Sequence, residues 1–306
     1  MAVAELAPAT SRFRAMGSDI ELVVDGPADL LETAQLRIEE LDRTWSRFIS
    51  DSDISTLNRT SDWVRVSDST TTLIEHAIAA WRMTVGAFDP TVLSSLVANG
   101  YADSRTDVPG HTTLLHPARC GPAPGPGGIE IDRAASRVRF GAGVAFDPGG
   151  IGKGLAADLV GADLIAMGAT AAVVAIGGDV RVAGRASSGW VIAVEDPFDS
   201  EVTLIELSVL DGGVCTSSIR SNTWIDGDTP MHHLVDPRTG NPIDSSIVSA
   251  TVVAGEAWLA EVLCKAAIAA EPIDALGFLE SAGVDGLLVD VDGLVWRTQH
   301  LERFAA

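Results

Sequence analysis

A glycine-rich turn, Asp147-Pro148-Gly149-Gly150-Ile151-Gly152-Lys153-Gly154, opens into a helical pattern from Lys153 to Met167 and then into the apolar run Ala171–Ile176. A short strand with no polar alternation is expected to be buried on both faces. Elsewhere the periodicity keeps changing. Ile20–Val24 reads as a strand, and from Ala28 to Phe48 the residues Leu31, Ala34, Ile38, Leu41 and Trp45 recur at helical spacing. A second helix is expected over Ser69–Val85, carried by Leu73, Ala77, Ala80 and Trp81 and ended by Gly86. Strands are expected at Gly128–Ile131, Arg137–Phe140, Trp190–Glu195 and Thr203–Val209. A nearly all-apolar helix is expected over residues 256–270, followed by a hairpin of Val284–Val289 and Gly293–Arg297. Residues 102–128, rich in Pro, Gly and His, read as an exposed loop. Strands and helices mixed without a strict strand–helix–strand rhythm predict an α+β fold.

Composition narrows the function classes. With 306 residues and 46% hydrophobic content, the chain can bury a large core as one domain or two smaller ones. A net charge of −21 argues against a nucleic-acid backbone or an anionic membrane as partner. It leaves room for a small anionic ligand held by a local loop. Three cysteines, Cys120, Cys215 and Cys264, lack metal-type spacing, and their odd number speaks against a disulfide framework. No apolar stretch reaches the ~20 residues of a membrane span, and Met1–Ser11 shows no signal-peptide pattern. These features predict a soluble, cytoplasmic protein.

Of the 21 Lys and Arg residues only two are lysines, and both fall in places that read as enclosed. Lys153 closes the glycine-rich turn. Lys265 sits in the apolar helix four residues after Glu261, surrounded by Trp258, Leu259, Val262, Leu263, Ala266 and Ile268. On a surface helix that spacing would be an ordinary ion pair; inside an apolar one it points to the lining of a pocket, since a buried pair is weak evidence for stability. The turn is not a P-loop, because Gly154 stands where that motif needs Ser or Thr. A turn built for shape and a loop that contacts pyrophosphate both remain open, with free N–H groups at the helix start favouring the second. His232-His233-Leu234-Val235-Asp236-Pro237-Arg238-Thr239-Gly240 contains a turn sequence. If extended, its adjacent histidines face opposite ways, so one alone can serve a pocket as phosphate donor, acid or base. Gly86-Ala87-Phe88-Asp89-Pro90-Thr91 reads as a helix C-cap with an Asp-Pro turn.

The order of these segments carries more than any one of them. Ala15-Met16-Gly17-Ser18 comes first, then Trp45-Ser46-Arg47-Phe48 with Ser52-Asp53-Ile54-Ser55-Thr56-Leu57-Asn58. Gly86 through Thr91, Asp147 through Gly154 with Asp158, Ile176-Gly177-Gly178-Asp179-Val180, Cys215-Thr216-Ser217-Ser218 and His233 through Gly240 follow in turn. Over nearly its full length the chain resembles the FAD:protein FMN transferases of the ApbE family. The resemblance implies a single domain over 1–306, with mixed sheets, flanking helices and an FAD pocket between two subdomains. It also implies transfer of FMN from FAD to a Thr or Ser of a partner protein, with release of AMP. Met16, Ala87, Phe88, Asp89, Asp147, Lys153 and His233 would bind FAD, with Asn58 close by. A Mg²⁺ ion on the pyrophosphate would be held by the Gly150 carbonyl and Glu261.

One departure stands out. Where this family has Asp followed four positions later by Thr, both serving the metal, the chain has Glu261 and Lys265. A protonated amine has three donors and no acceptor, so it cannot ligate a metal. His233, Glu261 and Lys265 are therefore the candidate catalytic residues, Lys265 as a second phosphate clamp. Two other readings stand beside transfer: a protein that binds FAD without transferring it, with Lys265 replacing the metal, and an FAD pyrophosphatase.

Overall fold

A computed structural model describes residues 8–106, 109–185 and 189–306. Parts of the predicted 102–128 loop and of the N-terminal stretch lie outside the described residues. The frame is an eight-stranded sheet whose spatial order follows the chain: β1 (Ala9–Ala15), β2 (Ser18–Asp25), β3 (Ala171–Ile176), β4 (Asp179–Gly184), β5 (Gly212–Ser218), β6 (Ile247–Ala254), β7 (Asp285–Asp290) and β8 (Val295–Arg297). Every neighbouring pair is antiparallel. The sheet is a meander interrupted by long excursions, and these excursions build the site.

Alternation along the strands sends side chains to two separate cores. In β3, Ala172, Val174 and Ile176 join the large core under the helices, while Val173 joins a smaller one on the opposite face. Three helices cover the first face: α1 (Leu30–Trp45), α3 (Gly152–Ala166) and α4 (Ala257–Ile268). Between them in sequence, α2 (Asp68–Met83) packs against α1, and α5 (Pro272–Ser281) follows α4. The hairpin Trp190–Glu195 with Thr203–Val209 covers the second face through Val194, Leu207 and Val209. With both faces covered, β6 is buried along its whole length. This accounts for its mostly apolar sequence, interrupted only by Ser249 and Thr251.

The predicted elements appear within one to three residues of their expected bounds, and the α+β class holds. Helix starts follow local chemistry: Ser67 caps α2 by accepting the Thr70 N–H at 3.1 Å. The strands expected at Trp190–Glu195 and Thr203–Val209 pair with each other as a hairpin outside the main sheet.

Candidate functional site

Three features of the sheet open on one end of it: the β1–β2 turn at Met16-Gly17, the β3–β4 turn at Gly177-Gly178, and the end of β5 at Thr216-Ser217-Ser218. Above them lies a cavity of about 1080 Å³. Its other walls come from Ser46–Ile49, Ala87–Asp89, the glycine-rich turn, the 190–195 strand and His233–Val235. Met16, Ala87, Phe88, Asp89, Asp147, Gly150, Lys153, His233 and Lys265 all line it. Asn58 and Glu261 do not. Asn58 is buried behind the wall, its amide donating to the Phe146 carbonyl at 2.9 Å and accepting from the Phe146 N–H at 2.8 Å. With both groups engaged, it positions the segment before Asp147 and offers nothing to a ligand. Glu261 lies beneath Lys265, completely buried.

Close backbone approaches set this floor. A Cβ on Gly154 would lie 2.6 Å from the Ala257 carbonyl oxygen, so glycine is what lets α3 and α4 touch. Across that contact the Gly154 N–H donates to Glu261 Oε2 at 2.8 Å. A carboxylate at a helix N-terminus is favoured by the helix dipole. The expectation of free N–H groups for phosphate is corrected in part. Gly154 serves Glu261, and the Ile151 and Gly152 N–H groups both donate to the Pro148 carbonyl. Side-chain ammonium groups supply the positive charge facing the cavity.

Each ammonium sits on a buried carboxylate. Lys153 contacts Asp179, a residue 1% exposed. Burial alone would lower the Lys153 pKa, but the charges of Asp179 and then Glu261 hold it above the ordinary value. Lys265 Nζ donates to Glu261 Oε1 and to the Glu261 carbonyl, both at 3.2 Å, and to Ser217 Oγ at 3.3 Å. Burial raises the Glu261 pKa and the neighbouring Lys265 charge opposes it. Asp147 is pushed up by burial and held down by Arg47, whose Nε stands 3.1 Å from its Oδ1. Three cations are thus each paired with an anion here, Lys153 with Asp179, Lys265 with Glu261 and Arg47 with Asp147, and an arriving diphosphate meets the two lysines.

The two histidines diverge as expected. His232 bonds the Ile243 carbonyl through Nε2 at 3.1 Å and accepts the Leu234 N–H on Nδ1. His233 lines the cavity, with Nδ1 3.1 Å from the Ser221 carbonyl. A carbonyl only accepts, so Nδ1 carries the proton and Nε2 keeps its lone pair. Burial, followed by the Lys265 charge, lowers the His233 pKa to about 3. Met16 has a left-handed backbone at φ 51° and donates its N–H to Asp42 at 2.9 Å. Such strain in a non-glycine residue clusters at binding sites.

Sequence reasoning assigned no role to the stack on the rim. The Arg47 guanidinium lies 4.1 Å from the Phe48 ring centre and 4.5 Å from that of Tyr101. Arg105 stands 4.5 Å from the ring centre of Trp224. Arg47 and Phe48 fall in one of the ordered motifs and Tyr101 is the only tyrosine of the chain, which are the signals the sequence offers; Arg105 falls in the segment that reads as an exposed loop.

The donor set does not fit a resident divalent ion. Lys265 neighbours both expected ligands, its Cδ 3.5 Å from where a Cβ on Gly150 would be and its Nζ 3.2 Å from Glu261 Oε1. Both Glu261 oxygens already have hydrogen-bond donors. Among the described residues no three His, Cys, Asp or Glu gather in a metal-binding group. A dication about 4 Å from this ammonium would be repelled by about 8 kcal/mol at an effective dielectric constant near 20.

A cavity of this size with two lysines at its floor has the room and the charge for a large organic phosphate. The chain belongs to the ApbE family, whose profile matches residues 16–288. It is 29% identical over 222 residues to a Vibrio cholerae protein named FAD:protein FMN transferase, covering 71% of this chain and 66% of that one. A Salmonella typhimurium protein of the same name is 28% identical over 247 residues, covering 76% and 69%. The crystal structure of the ApbE protein from Thermotoga maritima superposes with a TM-score of 0.85 at 26% identity, over 98% of this chain and 99% of that one.

Proposed function

We propose that this chain is an FAD:protein FMN transferase acting as one unit over 1–306, attaching FMN to a Thr or Ser of an acceptor protein. The observation that carries this reading is the cavity itself: room for a dinucleotide, ammonium groups at its floor, and a neutral histidine beside them. These lie on the fold of a family whose relatives bear that name. The relatives are named as transferases, so neither storage of intact FAD nor its hydrolysis is favoured.

In this reading the FAD diphosphate lies over Lys153 and Lys265. Met16, Ala87, Phe88, Asp89 and Asp147 pack around the rest of the ligand. The acceptor hydroxyl oxygen bonds to the FMN phosphorus as the bond from that phosphorus to the bridging oxygen breaks. AMP departs with that oxygen and its electron pair. The hydroxyl proton passes to His233 Nε2, which the Ser221 carbonyl holds in the accepting tautomer. The lysines stabilise charge on the phosphate oxygens, and alignment supplies much of the rate. Glu261 acts through Lys265, holding the ammonium in place. Mg²⁺, implied by the family, has no step here, because the floor does not fit it.

The test is incubation with FAD and a lysate of the source organism, followed by denaturing electrophoresis. A transferase produces a flavin-fluorescent protein band that needs active enzyme. FMN and AMP without a labelled protein would mean hydrolysis; intact FAD would mean binding alone.

A further inference from the structure

We infer that Lys265 takes the place of a divalent ion in this cavity, so that the diphosphate group of the ligand binds without metal. The inference rests on the transferase reading for the identity of that ligand, and on the arrangement of charges for the rest. Lys265 lines the cavity while Glu261 lies behind it. Asp179 is likewise absent from the lining and reached through Lys153. A ligand therefore meets both buried carboxylates through an ammonium. Both Glu261 oxygens are already engaged, Oε2 accepting from Gly154 and Oε1 from Lys265, so a second cation would compete with both. Mg²⁺ needs oxygen ligands in near-octahedral array, and where Glu261 would supply one the cavity presents the Lys265 ammonium.

The same geometry suits an anion. All three Lys265 contacts are at 3.2 to 3.3 Å, at or just beyond the long end of hydrogen-bond distances. The ammonium can exchange any of them for a phosphate oxygen at little cost and gain a shorter, charge-assisted bond. Beside it, a Cβ on Gly150 would meet the Phe88 ring at 2.7 Å but the Lys265 stem only at an ordinary contact distance of 3.5 Å. Glycine at 150 thus lets the Phe88 ring pack against the turn beside the lysine. Ser217, on β5, supplies a neutral contact that keeps the ammonium forward in the absence of ligand.

The test is calorimetric titration of metal-stripped full-length protein with FAD, and separately with inorganic diphosphate, in chelator and then in Mg²⁺. The expected result is the same affinity in both buffers for both probes. Lys265→Met should weaken both by roughly ten- to a hundredfold, with no recovery in Mg²⁺. Lys265→Arg should retain metal-free binding, separating loss of charge from loss of fold. Binding of both probes only in Mg²⁺ overturns the inference and leaves the transferase reading standing. Metal-free binding of diphosphate but no binding of FAD upholds the inference and removes the flavin reading. Unchanged affinity in Lys265→Met also overturns it.

Discussion

His233 stays neutral through the physiological range because burial and the Lys265 ammonium both oppose a second ring proton. A base already deprotonated in the free enzyme leaves no histidine inflection in kcat/KM, so the profile should run level between pH 8 and 6. An inflection near the ordinary histidine value of 6.5 that disappears in His233→Gln would contradict this. The same depression has a consequence for stability. As pH falls from 6.5 toward about 3, the unfolded chain binds a proton that the folded chain refuses, so this histidine makes folding progressively less favourable. His233→Gln should lower the transfer rate by about 10² to 10⁴ while calorimetry finds FAD affinity little changed. A motif tells which residues gather near a site but not their layer. Lys153 and His233 are therefore legible from sequence as cavity residues, while Asn58 and Glu261, equally embedded in motifs, stand one layer back. Their amide and carboxylate are consumed by Phe146, Gly154 and Lys265, contacts 88, 107 and 4 residues away in the chain.

At the scale of elements, the site depends on how α3 meets α4. Asp158, on α3, accepts the N–H groups of Ala257 at 2.9 Å and Trp258 at 2.8 Å, capping the helix that carries Glu261 and Lys265. Burial raises its pKa to about 6, against those two hydrogen bonds and Arg181. Asp158→Ala should destabilise the protein by about 0.5 to 2 kcal/mol in urea denaturation, the ordinary loss for a removed cap. Because the cap aligns the helix bearing Lys265, FAD affinity should fall as well; unaltered affinity would show that α4 is held by packing alone. Gly154→Ala tests the crossing directly. The added methyl meets the Ala257 carbonyl, so a loss of about 1 to 3 kcal/mol is expected. Helices α1 to α4 and strands β2 and β3 are legible because their apolar periods run long enough to read. The partnering of Asp158 with α4 is not, since it joins positions about 100 residues apart.

Across the whole molecule, a meander in chain order would make a simple antiparallel sheet, and the long excursions between strands turn it into a container. Arg47 ties together three segments of the longest one, between β2 and β3. It pairs with Asp147 in the glycine-rich turn, donates to the Tyr101 carbonyl at 2.9 Å, and donates to Thr112 Oγ1 at 2.6 Å. It is 4% exposed, and burial lowers its pKa against the pull of Asp147. Arg47→Ala leaves Asp147 buried without its cation, so a loss of about 3 to 5 kcal/mol is expected by denaturant titration. A loss below 1 kcal/mol would show that these segments hold their places independently. The α+β class follows from changing periodicity alone, whereas the order of strands depends on pairings no local pattern records. The measurement that bears most directly on the account is a single-turnover reaction with FAD and a flavinylated-band protein as acceptor, counting AMP, free FMN and protein-bound FMN together. Equal amounts of AMP and protein-bound FMN, with no free FMN, are predicted; AMP matched by free FMN, with none on protein, would contradict transfer.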